Sequence, residues 1–144
     1  MRTLQLAPGL TWNGTLDPQL RVFDIVMLTE FGTTYNSYVL RGSEKTALFE
    51  TSKAKFLDEY LQTVQEVVDI ADIDYIVCNH TEPDHAGSIE KLLDINPNIQ
   101  IVATAPALGF LKEIVNRDFC SIAVKENDTL SLGDKTLQFM VLPN

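Results

Sequence analysis

Residues 78–93 read CNHTEPDHAGSIEKLL, and they hold both histidines of the chain, His80 and His85, with Glu82 and Asp84 between them. Imidazole and carboxylate together suit zinc, iron or manganese, and no thiolate is evident beside them. Carboxylates gathered this closely repel one another unless cations lie between them, which points to a bridged pair of metals. These four side chains do not complete a dinuclear site, and the chain has no further histidine. A solvated loop is the competing reading, with Asp84 near the N-terminus of the helix that SIEKLL predicts. Acid/base catalysis without a metal finds neither a nucleophile nor a recognisable pocket next to the motif.

The elements around the motif have to hold it rigid. YIVC, residues 75–78, reads as a buried strand, so His80 falls where a strand ends and an α/β fold opens its sites. A two-residue period carries His80, Glu82 and Asp84 to one side. Pro83 pushes Glu82 toward extended geometry, and Ala86-Gly87 permits close packing into the next helix. Upstream, VFDIVML (22–28), TTYNSYVL (33–40) and TALFE (46–50) read as strands joined by short turns, which predicts antiparallel pairing. Phe56, Leu57, Tyr60, Leu61, Val64 and Val67 recur at helical spacing, predicting a helix over 54–68 with Ser52 as its cap. Downstream, IQIVATAPALGFLKEIV gives a strand and a helix with the break at Thr104 to Pro106. TLSL and TLQFMVL flank a turn at Gly133-Asp134, and the second of them has the composition of a strand inside a sheet. Thr51, Ser52 and Lys53 start the helix or line the cleft. Tyr35, Asn36 and Tyr38 are explained by packing and turn hydrogen bonds, and Glu30 and Phe31 sit on an early turn.

The totals fit one globular domain with a mixed sheet: 144 residues, 45% hydrophobic and 22% charged. A formal net charge of -9 argues against nucleic acid and anionic membranes as partners. Cys78 and Cys120 both read as small buried hydrophobes in a reducing cytoplasm. No signal peptide or membrane span is apparent.

HTEPDH resembles the first metal motif of the metallo-β-lactamase fold, His-x-His-x-Asp-His, with Glu82 at the second histidine position. That substitution, together with GTTYNSYVLRG at 32–42 and TALFETSK at 46–53, resembles the N-terminal region of the flavodiiron proteins, or A-type flavoproteins. The resemblance spans essentially the whole chain. It implies an α/β metallo-β-lactamase-like layered αββα fold, with residues 1–144 as its incomplete N-terminal portion. It further implies a non-haem di-iron site that reduces dioxygen to water or nitric oxide to nitrous oxide. His80 and Glu82 would bind one iron, Asp84 the other, and His85 the second iron or a place close to it. A carboxylate at position 82 adds negative charge and a hard donor, favouring oxidised iron. FMN would reside on a flavodoxin-like domain outside this chain. The implied partners are a second copy, head to tail, and an electron donor such as rubredoxin or a flavin reductase. A zinc-dependent hydrolase of the same fold is the alternative, with Glu82 as the feature against it, and an inactive fragment is the third reading.

Overall fold

The computed structural model describes residues 3–23, 27–82 and 86–142. Its centre is a seven-stranded mixed sheet. In chain order the strands of that sheet are β1 (Leu4–Ala7), β2 (Leu10–Trp12), β7 (Tyr38–Arg41), β8 (Thr46–Phe49), β9 (Tyr75–Val77), β10 (Gln100–Ala103) and β11 (Cys120–Ala123). They also lie in that spatial order. The pairs from β1 to β8 are antiparallel, and those from β8 to β11 are parallel.

Strands β8, β9 and β10 are short, nearly continuous apolar runs because both their faces are covered, whereas the edge strand β11 is largely exposed. Leu48, Ile76, Ile101 and Val102 are fully buried. The covering helices are α1 (Leu57–Val67), α2 (Ile89–Ile95) and α3 (Ala105–Ile114). Each sets an apolar stripe into the core: Tyr60 and Val64 from α1, Ile89, Leu92 and Leu93 from α2, Leu108 and Leu111 from α3. The predicted break before α3 is present, since the Thr104 hydroxyl accepts from Ala107 N and a proline stands in the first turn.

Several local expectations change. The single strand expected over residues 22–28 is replaced by two: β4 (Val22–Phe23) pairs antiparallel with β5 (Met27–Leu28), and residues 24–26 lie outside the described residues. TTYNSYVL is also divided. Its first half, β6 (Thr33–Tyr35), pairs with β3 (Thr15–Asp17) in a separate ribbon, and its second half is β7 of the main sheet. Strands β1 to β3 come from a stretch whose mixed composition hid them; exposed on β1 and half-buried on β2, they give no clear alternation. Ser52 caps no helix. A 3-10 turn at Ala54–Phe56 precedes α1, and the Ser52 hydroxyl is 2.6 Å from that of Thr15 in the interior. TLQFMVL is not an interior strand: only Thr136–Gln138 (β13) is extended, paired with β12 (Thr129–Ser131), while Met140, Val141 and Leu142 are exposed. Cys78 is buried as expected, whereas Cys120 is exposed on the edge strand β11.

Candidate metal centre

The C-terminal ends of the parallel strands carry the site. Strand β9 stops at Val77, and the Cys78 amide still donates to Val102 O at 2.9 Å. From there the backbone leaves the sheet, so the strand period anticipated for His80 and Glu82 is not sustained by a ladder. Both are exposed. The Ala86 amide donates to the Glu82 carbonyl at 3.0 Å. Pro83, Asp84 and His85 lie outside the described residues. Among those described, no three histidine, cysteine or acidic side chains converge as a metal cluster.

What the structure brings to His80 is Glu50, a residue the sequence motif does not contain. Glu50 follows β8 directly, and parallel pairing of β8 with β9 sets the two strand ends side by side. Its Oε2 lies 3.5 Å from His80 Nδ1. Its Oε1 accepts from the Asn79 amide. Its own amide donates to Val77 O at 2.9 Å. The residue is buried, and its backbone has φ 62, the left-handed region, where a side chain other than glycine costs about 1–3 kcal/mol. The Ser37 hydroxyl and the Tyr60 phenol each lie 3.2 Å from the Glu50 carbonyl and 2.7 Å from each other, so one hydroxyl donates to the other and the second donates to the carbonyl.

Burial pushes the Tyr60 phenol well above its ordinary value, so it remains a neutral donor. Burial, and then the nearby Glu50 charge, push the Cys78 thiol up in the same way. Both causes favour the protonated thiol, and Cys78 is part of a cavity wall. Reading TALFE as a strand placed Glu50 inside it and concealed the role of position 50. A carboxylate placed immediately after a buried strand, where polarity changes abruptly, was the available signal.

A cavity of about 680 Å³ adjoins His80, with Cys78, Asn79, Ala103, Val124 and Phe139 among its walls. This corrects the expectation that no pocket neighbours the motif. Sequence separation hid it, because its far wall comes from residues 124–142. Thr51 and Ser52 are fully buried beside the site but do not line this cavity. Tyr35 is a packing residue as expected, with Phe56 at 6.2 Å between centroids and Lys53 Nζ 4.8 Å from its ring. Asn36 accepts from the Trp12 indole at 3.0 Å. Glu30 and Phe31 are exposed, Phe31 at 82%.

The profile of the ODP family beta lactamase matches residues 33–143. The chain is 44% identical over 145 residues to the flavo-diiron protein FprA2 of Clostridium acetobutylicum, covering 99% of this chain and 36% of that protein. To the type A flavoprotein fprA of Rhodobacter capsulatus it is 40% identical over 141 residues, 96% of this chain and 32% of the relative. Among solved structures, the rubredoxin oxygen:oxidoreductase from Desulfovibrio gigas superposes with a TM-score of 0.89 at 33% identity, over 96% of this chain and 34% of that one. The chain thus spans about a third of the length of these relatives. The layered metallo-β-lactamase-like α/β fold anticipated from the motif is the one observed. Among the described residues no helix is long and apolar enough to cross a membrane. The chain belongs to the ODP family of beta-lactamase domains and corresponds to the lactamase-like di-iron region of flavodiiron proteins.

Proposed function

We propose that this chain is the N-terminal, metal-holding part of a di-iron flavoprotein that reduces dioxygen, nitric oxide or both. The observation that carries the reading is His80, backed by the Glu50 carboxylate and standing at a strand terminus beside a cavity of mixed lining. The donors fit iron: an imidazole whose Nδ1 faces a buried carboxylate, followed by the hard oxygen donor Glu82. His80 and Glu82 would hold one iron, and Asp84 and His85 would serve the second. Bound iron supplies the redox and Lewis-acid chemistry.

The remaining work falls to the chain's own residues. Glu50 fixes the His80 ring. Val77, Val102, Ala103 and Val124 give the cavity an apolar side against which a small neutral gas can pack, and Asn79, Thr104 and Lys125 give it a polar one. FMN would come from a further domain. A second copy arranged head to tail would bring the FMN of one subunit to the iron of the other. A rubredoxin-type donor follows from similarity to a protein named rubredoxin oxygen:oxidoreductase. Such an enzyme would work in the cytoplasm.

The test is metal and flavin analysis of the full-length protein, with oxygen and nitric oxide consumption followed under a reduced rubredoxin. An iron pair, FMN and gas consumption are expected. His80→Ala should abolish iron binding while the protein still folds, as its melting transition would show, because the side chain is about half exposed. A zinc-loaded protein that hydrolyses esters or amides and consumes neither gas would overturn the reading.

A further inference from the structure

We propose that Glu126 is a positioning residue for the cavity beside His80: its carboxylate latches residues 139–142 as a strap along one side of that space, and the latch controls access to it. The latch is built from this chain's own backbone and side chains. It can therefore be absent while the di-iron reading holds, and present while that reading fails. The two sides of the cavity come from different parts of the chain. One is made by the strand ends at Val77, Val102 and Ala103, the other by residues 139–142.

Residues 139–142 belong to no sheet, because β13 ends at Gln138. Phe139 is still held by backbone: its amide donates to Asp128 O at 2.9 Å, and its carbonyl accepts from Asn127 N at 2.8 Å. Met140, Val141 and Leu142 are exposed. Among the described residues, the one hydrogen bond that these three make runs from Val141 N to the Glu126 carboxylate. A tight turn aims that carboxylate. The Lys125 amide donates to Asp128 Oδ2 at 2.8 Å, and Asp128 N donates to Lys125 O at 3.1 Å. Between them Asn127 has φ 67, a left-handed conformation that asparagine tolerates. The turn follows β11 closely, where Val124 N donates to Ala103 O at 2.9 Å at the end of β10. Glu126 therefore ties the strand-end side of the cavity to the strap. A carboxylate accepting from a backbone amide makes a charge-assisted bond, stronger than a neutral one, while an exposed one competes with water. A segment tied at one such point opens without unfolding of the sheet beneath it.

The experiment uses the full-length protein, in the same metal-loaded state for every variant, and follows cysteine labelling by N-ethylmaleimide with peptide mass spectrometry. Cys78 is buried in the cavity wall and reports opening of the strap, whereas Cys120 is exposed on the edge strand and serves as the control. Glu126→Ala is expected to speed labelling of Cys78 by about 10-fold, with Cys120 labelling and the melting temperature unchanged. Hydrogen exchange in the peptide holding residues 139–142 should speed up with it. Glu126→Gln keeps an acceptor of the same shape without the charge and should fall between wild type and Glu126→Ala. Wild-type labelling of Cys78 in Glu126→Ala overturns the proposal. Faster labelling that comes with a lowered melting temperature, and to the same extent in both variants, also overturns it, because general loss of stability then accounts for the opening. If Glu126→Ala does not fold, Glu126→Gln decides by the same readings. Iron content, measured on the same samples, tests the di-iron reading separately.

Discussion

At the N-terminal ends of the parallel strands, the turn after β7 and the tip of the β12–β13 hairpin lock together. Ser43 N donates to Asp134 Oδ1 and Asp134 N donates to Ser43 Oγ, each at 2.8 Å. Glu44 N and Lys45 N both donate to the carbonyl of the fully buried Leu132. At the C-terminal ends the construction is different. Glu50 sits in a strained conformation, His80 is about half exposed, and a large cavity separates β9–β11 from residues 139–142. The same strands therefore finish in a turn interface with matched donors and acceptors at one end and in strain, exposure and open volume at the other. The matched hydrogen bonds lie at the end away from the candidate centre, and the strained carboxylate sits beside it.

Substitution separates the two ends. The largest effect is expected from Gly133→Ala. Gly133 has φ 103, and a Cβ there would meet Ser43 Oγ at 2.1 Å, so the interlock must open. A loss of about 1–3 kcal/mol in denaturant unfolding is expected, with iron binding unaltered. An unchanged midpoint would show that this end holds no special share of the stability. A smaller effect sharpens the contrast at the other end. Glu50→Gly should be more stable than Glu50→Ala by about 1 kcal/mol, because only glycine occupies the left-handed region freely. Equal stabilities would mean that the backbone there is not strained.

The smallest effect concerns acid. The Ser43 amide beside the Asp134 carboxylate holds its pKa below the ordinary aspartate value. A folded-state value below the unfolded one contributes stability fully above about pH 4, and that contribution fades as pH falls through the lowered folded value. Asp134→Asn should therefore bring the urea midpoint down slightly at neutral pH and converge with wild type in acid. Parallel pH profiles would break this account of the clasp.

The strand before the motif loop was legible because its signal is local: YIVC announces it, and His80 and Glu82 carry the proposed metal site by type and spacing. The helices were legible for the same reason: Tyr60 and Val64, or Leu108 and Leu111, repeat at intervals that only a helix places on one face. The errors fall where a residue's role depends on something distant. Ser52 resembles a helix cap until Thr15, far away in sequence, takes its hydroxyl. The run TTYNSYVL reads as one strand because propensity cannot tell that its halves pair with different sheets.

By itself the sequence determined the layered α/β class, the family and the donor types of the candidate centre, since each is encoded in periodicity or in a contiguous motif. Only the tertiary structure decided that Glu50 stands behind His80, that Tyr60 and Ser37 hold it there, and that residues 124–142 return to close a cavity against the same strand ends. Those relations are made by parallel strand register and helix packing, which bring together side chains that no spacing along the chain relates.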